Sequence, residues 1–354
     1  MRVRRRRLIF FSACVLMAVV LSGCEAVGFY RQAIAGQYQI LAHQKPIDAL
    51  IADPSTPAKL RERFEKVLKI RQFAADELKE PVDGNYLKYT DLHRPCVVWT
   101  VVVAPALALE PKTWWFPIAG RVSYRGYFSE DAARRYANKW EKQGWDVDVG
   151  GVTTYSTLGW FRDPLLNTFI YESESELADT IFHECAHRQL YVAGDSDFNE
   201  AFATAVASEG VRRWYLAAQN PKAYDDFLES RRRDNEFIKL VLATRNRLQS
   251  IYSDAKLSDA EKLKRKESVI ADMRADYEKM KSRWGETKSG YDNWFAQPIN
   301  NAKLNYIATY YDLVPGFQAV LKQQGGDMQK FFQATAALAK LSLDKRHEAL
   351  SQAH

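Results

Sequence analysis

The sequence has no excess of charge beyond its first 23 residues. Its formal net charge is +6, but residues 1–23 hold five arginines and no acidic residue. The rest of the chain contains 45 basic and 44 acidic side chains, a net charge of +1. A protein that binds nucleic acid needs clustered positive charge to neutralise phosphates. We therefore expect no nucleic acid among the partners of this protein.

The apolar run near the N-terminus, Leu8 to Val20, is too short to span a bilayer comfortably. It follows the arginines and precedes Leu21-Ser22-Gly23-Cys24, which is the layout of a cleaved signal over residues 1–23. The Leu-Ser-Gly-Cys ending resembles a bacterial lipobox and implies that Cys24 is lipidated. The residue that follows Cys24 is Glu25 and not aspartate. By analogy with lipoprotein sorting, this favours an outer-membrane lipoprotein that faces the periplasm. An ordinary signal peptide with a coincidental cysteine is the alternative.

Cysteine is scarce, with four residues in the chain. Cys14 would leave with the signal and Cys24 would carry lipid, so Cys96 and Cys185 remain. An oxidising compartment would allow a disulfide between them, although the sequence does not give their distance. We prefer two free thiols, because free cysteine packs as a small hydrophobe.

The pattern of the chain predicts one predominantly helical α+β domain over residues 24–354. A content of 47% hydrophobic residues in 354 is enough for a sizeable core. Periodicity and capping residues predict five helical regions. The first covers 25–80 and is interrupted at Pro54 and Pro57, and the last runs from Tyr291 onward with a break at Pro315-Gly316. Between them, helices are predicted from Ser129 to Lys142, from a start at Ser173 or Ser175, and from Asn199 to Gln219. The predicted strands are 97–104, 114–118 and 145–155, the last bent or bulged at Gly150-Gly151.

Residues 222–288 are dense in Arg, Lys, Asp and Glu. A capping pattern at Ser258-Asp259-Ala260-Glu261 begins a second helix within this segment. We therefore predict an antiparallel helical hairpin that protrudes from the body as an insertion. Its charges are interpreted as a solvated face, with a partner-binding arm as the alternative.

Histidine is rare as well, and two of the six lie four residues apart in His183-Glu184-Cys185-Ala186-His187. Residues i and i+4 share a helix face, so both imidazoles can face one ion. Zinc favours imidazole ligands, and a catalytic zinc keeps one tetrahedral position for water. Glu184 lies beside His183 and can accept a proton from that water. The pattern predicts a zinc metallopeptidase with His183 and His187 as ligands and Glu184 as catalytic base.

A catalytic zinc needs a third protein ligand, and Glu200 is the candidate. Twelve residues separate it from His187, which is room for one helix to end and another to pack alongside. Glu209 on the same helix and Asp197 in the preceding turn are rivals. We expect one zinc ion per chain.

These residues resemble the site of gluzincin metallopeptidases, in which a downstream glutamate completes the zinc site. More narrowly, the chain resembles the Putative aminopeptidase family of bacterial lipoproteins over most of its mature length. The stretches that carry this resemblance are His183-Glu184-Cys185-Ala186-His187, Asn199-Glu200-Ala201-Phe202-Ala203, Tyr155-Ser156-Thr157-Leu158-Gly159-Trp160-Phe161 and Tyr310-Tyr311-Asp312-Leu313-Val314-Pro315. The resemblance implies a gluzincin-like domain with a small sheet, zinc at His183, His187 and Glu200, and catalysis by Glu184.

One departure concerns the group that orients a ligand histidine. Many gluzincins carry an acidic residue one turn after the ligand glutamate, where this chain has Thr204. Either Thr204 substitutes weakly, or Asp179, one turn before His183, takes that role. The alternative role of Asp179 is favourable placement near a helix N-terminus.

The resemblance also suggests how substrate is held. In gluzincins a strand edge pairs with the substrate backbone, and Thr157, Leu158 and Gly159 are the candidates here, with a core strand and turn as the alternative. No residue is assigned to a free α-amine, although three acids lie just upstream of the zinc helix: Glu172, Glu174 and Glu176.

A tetrahedral intermediate needs a hydrogen-bond donor for its oxyanion in addition to the metal. Tyr306, Tyr310 and Tyr311 are candidates from the C-terminal helical region, and we choose Tyr310. An aromatic-rich helix that simply packs in the core is the alternative reading of these tyrosines.

The predicted function is zinc-dependent hydrolysis of peptide bonds, with removal of amino-terminal residues as first choice because the resemblance points there. The partners would be a peptide or protein substrate and the membrane, through the lipid anchor. A zinc amidase acting on cell-wall peptides is one alternative. A scaffold that binds partners through the hairpin around a structural zinc is another, which is disfavoured because structural sites usually use four protein ligands and Cys185 points away from the face of the two histidines.

Overall fold

The computed structural model describes residues 27–116, 120–154, 162–287 and 289–353. The predictions for Cys24, the signal over 1–23, and the strand edge at Thr157, Leu158 and Gly159 lie outside these residues. Within the described part, no helix is both long and apolar enough to cross a membrane.

The described chain is predominantly helical with three small sheets, as the α+β prediction required. Its helices are α1 (27–42), α2 (Ile47–Ala52), α3 (Ala58–Asp76), α4 (Glu130–Glu141), α5 (Glu174–Gln189), α6 (Ser196–Ala217), α7 (Pro221–Ser253), α8 (Asp259–Arg283), α9 (Asp292–Ala296), α10 (Asn301–Tyr311), α11 (Val314–Gln323), α12 (Met328–Leu338) and α13 (Leu343–Ser351). Its strands are β1 (Lys45–Pro46), β2 (Lys88–Thr90), β3 (Val98–Ala104), β4 (Trp114–Phe116), β5 (Gly120–Val122), β6 (Tyr124–Tyr127), β7 (Asp146–Val152) and β8 (Leu165–Leu166).

The largest continuous pairing joins β3 to β7 in the antiparallel sheet β6-β3-β7. Its register runs without interruption from Val98 opposite Val152 to Ala104 opposite Asp146. The predicted bend or bulge at Gly150-Gly151 is therefore wrong. A Cβ atom at Gly151 would lie 2.5 Å from Cys96 Sγ, so glycine at this position permits a close approach of the neighbouring chain.

The helix that carries the two histidines begins where a capping serine predicted it. Ser173 accepts a hydrogen bond from the Glu176 backbone N–H, and the Glu176 carboxylate accepts one from Ser173 N–H. This reciprocal pair satisfies two donors that the first turn leaves free. Ser173, rather than Ser175, is therefore the N-cap of α5.

The next helix, α6, begins three residues earlier than predicted. Asp195 caps it by accepting a hydrogen bond from Phe198 N–H at 3.1 Å. Asn199, predicted to open the helix, instead accepts from Val192 N–H and donates to Val192 C=O, both at 2.8 Å. Its amide thus holds the loop between α5 and α6 against the first turn of α6.

The segment 222–288 forms the predicted helical hairpin from α7 and α8, and Ser258 caps α8 in a reciprocal pair with Glu261. The prediction that the hairpin protrudes is wrong. Lys266 of α8 is buried, pairs with Asp146 at 2.5 Å and donates to Ala106 C=O at 3.0 Å. The hairpin lies along the body because its apolar face needs cover, and it shares a buried cluster with Leu109, Phe295 and Leu304.

Cys96 and Cys185 are both free thiols, as preferred from the sequence. Cys185 is fully buried among the apolar residues between α3 and α5. Burial raises the pKa of the Cys185 thiol well above its ordinary value, so this sulfur stays protonated and packs as an apolar group.

A charged cluster joins α13 to the start of α6. His347 Nε2 lies 2.9 Å from Asp195 Oδ1, and Arg346 Nε lies 2.7 Å from Asp195 Oδ2. The hydrogen bond with Asp195 raises the pKa of His347 above 6.5. Burial opposes the ionisation of Asp195, but His347 and Arg346 outweigh it and lower the pKa of that carboxyl. The C-terminal helix therefore supports the cap of α6.

Replacing His347 by alanine should lower the free energy of unfolding by about 1–3 kcal/mol at about pH 5.5, since a buried carboxylate loses a charged partner. The contribution of His347 is complete below its unfolded pKa of about 6.5 and is lost as the pH rises through the raised folded value. Urea unfolding of both proteins at about pH 5.5 and pH 8.5 should show the difference shrinking. The exposed His43→Ala serves as control; a difference independent of pH would contradict the assignment.

Candidate metal centre

The two motif histidines lie on the face of α5 opposite the side chains that this helix buries in the core. Leu177, Ile181, Phe182 and Cys185 of α5 are fully buried in the cluster that includes α3. His183 and His187, one turn apart, occupy the face that turns towards α6. The helical period that predicted a shared face is therefore observed.

Three ligand atoms from α5 and α6 converge at this face. His183 Nε2 lies 3.2 Å from Glu200 Oε2, His187 Nε2 lies 3.5 Å from the same oxygen, and the two Nε2 atoms are 3.1 Å apart. Two ligands at zinc distances of about 2.0–2.1 Å and a tetrahedral angle are separated by about 3.3 Å. The spacing of the three atoms matches that value to within a few tenths of an ångström.

The carboxylate of Glu200 is buried between the two imidazoles. Burial alone would raise its pKa, but His187 and His183 outweigh burial and lower the pKa well below its ordinary range. Burial lowers the pKa of His183, and the hydrogen bond and charge of Glu200 raise it above 6.5 overall. The donor set thus presents one negative carboxylate and two imidazole nitrogens at one point.

The rivals of Glu200 lie elsewhere. Glu209 is held in ion pairs with Arg212 and Arg213 at 2.6 and 2.7 Å. Asp197, predicted in the turn, lies in the first turn of α6 and its side chain hydrogen-bonds Thr309. Among the described residues, His183, His187 and Glu200 form the one group of three or more potential ligands close enough to share an ion.

The predictions about orienting groups are not met. Asp179 pairs with Arg231 of α7 at 2.9 Å and lies in the second turn of α5, so it neither hydrogen-bonds a ligand imidazole nor lies in the first turn. Thr204 is buried on α6, and within the described ranges its hydroxyl makes no hydrogen bond to either imidazole. The Nδ1 atom of His187 is buried and has no hydrogen-bond partner among the described residues.

Glu184 follows His183 on α5 and is half-buried, and its charge contributes to the raised pKa of His183. Burial, and then the charge of Glu184, raise the pKa of Tyr86 well above its ordinary value. The carboxylate of Glu184 makes no hydrogen bond or ion pair with another residue of the described ranges. It is therefore available to a proton donor at the centre.

Two tyrosines border the centre from opposite elements. The ring of Tyr310 stacks on His183 with centroids 6.1 Å apart and planes at 26°. Tyr124 on the edge strand β6, which sequence reasoning missed, has its pKa raised well above the ordinary value by burial and then by the charge of Glu200. The same two causes raise the pKa of Tyr310. Both hydroxyls therefore keep their protons and can donate hydrogen bonds.

The other predicted tyrosines differ in position. Tyr306 lies against Tyr310 with ring centroids 5.1 Å apart, and both line a small cavity with Tyr124. Burial, followed by the charge of Asp179, raises the pKa of Tyr311 to about 12. Tyr311 thus neighbours the Asp179–Arg231 pair, whereas Tyr310 neighbours His183.

Comparison with known families matches almost the whole described chain. The model of the family described as Putative aminopeptidase covers residues 28–350. The chain belongs to this family. The match includes α5, α6 and α10, and so every described residue of the centre. No curated protein and no solved structure matches the chain.

A substrate of an aminopeptidase carries a free α-amine, which requires an acidic partner near the centre. Two of the three acids upstream of α5 are occupied: Glu174 pairs with Lys66 and accepts from Trp214, and Glu176 completes the capping pair. Glu172 instead accepts from Thr153 and from Thr180 of α5 at 3.2 and 3.5 Å. Burial raises the pKa of Glu172 to about 7. The carboxylate of Glu172 thus has two hydroxyl partners, and no cation of the described residues forms an ion pair with it.

Proposed function

We propose that this member of the Putative aminopeptidase family is a zinc-dependent, gluzincin-type aminopeptidase. The observation that carries the proposal is the spacing of His183 Nε2, His187 Nε2 and Glu200 Oε2, between 3.1 and 3.5 Å. Two imidazoles and one carboxylate are the protein ligands of a catalytic zinc, with a fourth position for water. A structural site would be expected to supply four protein ligands.

The chemistry divides between the ion and the side chains around it. Bound zinc would lower the pKa of a coordinated water and polarise the scissile carbonyl. The carboxylate of Glu184 would take the proton of the attacking water, because it has no other partner among the described residues. The same group would then transfer that proton to the leaving amine, which departs neutral.

Negative charge that develops on the carbonyl oxygen needs a donor that is already in position. We assign this role to the Tyr310 hydroxyl, since the ring stacks on His183. Tyr124 of β6 lines a small cavity together with Tyr310, and its hydroxyl would be a second donor of this kind. Neither hydroxyl needs to ionise, in keeping with their raised pKa values.

The Tyr310→Phe variant should lower kcat by about 10²–10³-fold, the usual effect of removing one oxyanion donor, and should keep its zinc. Steady-state kinetics with measured zinc content would show this. Tyr311→Phe is the matched control, because Tyr311 lies near the ion pair of Asp179 and Arg231. An unchanged kcat for Tyr310→Phe would remove Tyr310 from the mechanism and leave Tyr124 as the donor.

The aminopeptidase assignment is tested with paired peptides on the zinc-loaded protein. One peptide of each pair has a free amino terminus and the other is N-acetylated, and products are followed by mass spectrometry. The proposal predicts stepwise release of amino-terminal residues from the free peptide alone. Cleavage inside the acetylated peptide would establish an endopeptidase instead. Hydrolysis restricted to cell-wall fragments would favour the amidase.

A further inference from the structure

Helix α1 (27–42) exposes an apolar stripe on the face opposite the one that packs on the domain. Val27, Tyr30, Ile34 and Tyr38 are 68%, 42%, 70% and 69% exposed. They make up four of the twelve large hydrophobic side chains that are exposed in the described chain. Isolated exposed apolar residues are ordinary, whereas an aligned set on one helix indicates a binding face.

The packed face of α1 is well defined by its own contacts. The ring of Phe29 packs against the rings of Phe116 and Tyr127, with centroids 5.7 and 5.5 Å away. Gln32 accepts a hydrogen bond from Phe128 N–H at 2.8 Å, and Ile40 is buried. A Cβ atom at Gly36 would collide with the Phe128 ring. These contacts fix the rotation of α1 about its axis.

Each residue of the stripe precedes a residue of the packed face by two positions. Val27 precedes Phe29, and the same offset relates Tyr30, Ile34 and Tyr38 to Gln32, Gly36 and Ile40. Two positions correspond to about 200° around an α-helix. The stripe therefore points directly away from the domain, and neither rotation nor sliding of α1 could bury it without breaking the contacts with Phe128.

The surroundings of the stripe identify its partner. From residue 27 to residue 47 the chain carries Arg31 and Lys45 and no acidic residue. Tyrosine favours the boundary between water and lipid, where its ring is apolar and its hydroxyl is hydrated. Cys24, the predicted lipid-bearing residue, precedes Val27 by three residues, or about 10 Å of extended chain. A stripe so placed would lie against the membrane that holds the lipid.

We propose that α1 lies flat in the interface of an anionic bilayer, with Val27, Tyr30, Ile34 and Tyr38 inserted among the lipids. Interfacial helices bind through buried apolar area and through attraction of basic residues to anionic lipids. The lipid on Cys24 would tether the chain, and the stripe would set which face of the domain is turned to the membrane. This inference is independent of the zinc chemistry.

The test uses the chain from Glu25 onward, which keeps every described residue and carries no lipid. It is mixed with vesicles of phosphatidylethanolamine and phosphatidylglycerol, and flotation measures the bound fraction. Wild type should float, and Ile34→Asp/Tyr38→Asp should partition at least about tenfold more weakly, since charge replaces apolar contact. The matched control is Leu228→Asp/Leu263→Asp, which removes two exposed leucines of the hairpin and should float like wild type.

Ile34→Ser/Tyr38→Ser provides a second, milder variant, and circular dichroism melting verifies the fold of each protein. Failure of wild type to float, or equal flotation of wild type and both stripe variants, would overturn the proposal. Size-exclusion chromatography tests the alternative that a second copy of the chain binds to the stripe. A wild-type dimer that the stripe variants convert to monomer, with no vesicle binding, would assign the stripe to a second copy of the chain and would also overturn it.

Discussion

Replacing Glu184 by glutamine should lower kcat by about 10²–10⁴-fold, the range for loss of general acid–base catalysis, without loss of zinc. Glutamine keeps the shape of glutamate but cannot accept the proton of the attacking water. Glu184 makes no hydrogen bond or ion pair within the described ranges, so the substitution breaks no described contact. The fold and the spacing of His183, His187 and Glu200 should therefore persist.

The measurement is kcat at saturating peptide, alongside zinc content by mass spectrometry of the same preparations. Glu65→Gln, on an exposed position of α3, is the matched control and should equal wild type in both. If Glu184→Gln retained full activity, Glu184 would not be the base. If it lost zinc together with activity, the carboxylate would belong to the ligand set and the proposed division of roles would fail.

Replacing Glu200 by alanine should weaken zinc binding at least about 100-fold, because even groups that only orient ligands change affinity by about 10–100-fold. Glu200 supplies the single negative charge of the donor set and lies within 3.5 Å of both imidazole nitrogens. Without it, two neutral imidazoles remain and activity should disappear at ordinary zinc concentrations. Competition with a zinc-binding dye gives the affinity.

Glu209→Ala is the matched control for this experiment. Glu209 lies on the same helix and was the rival ligand, yet it is held by Arg212 and Arg213. Its removal should leave the affinity for zinc unchanged. Equal zinc affinity in wild type and Glu200→Ala would show that α6 contributes no ligand. Loss of zinc in Glu209→Ala alone would assign the third ligand to Glu209.

The parts of the centre that the sequence predicted depend on local periodicity. His183 and His187 share a face because four residues make about one helical turn, and the buried side of α5 leaves them one direction in which to point. Glu200 could be placed because twelve intervening residues are enough for one reversal of the chain. Both inferences need only chain geometry over a short distance.

The parts that sequence reasoning missed depend on contacts between distant segments. Asp179 could be offered, beside Thr204 and beside a role near the helix N-terminus, as the group that orients a ligand imidazole, because no pattern in the sequence shows that Arg231, 52 residues later, pairs with it. Tyr124 lines a cavity with Tyr310 because β6 pairs with β3, with Tyr124 opposite Val102, and a single tyrosine in a short strand carries no signal of that position. Charges dominate the composition of the hairpin and led to the prediction that it protrudes, whereas buried residues such as Val241 and Met273 determine where it lies.

We propose that His183, His187 and Glu200 hold one zinc ion and leave one position for solvent. Metal-free protein titrated with zinc, followed by X-ray absorption at the zinc edge, tests it most directly. We expect saturation at one zinc per chain, with two imidazole nitrogens, two oxygens and no sulfur around the ion. A sulfur ligand, a third imidazole or the absence of saturable binding would contradict it.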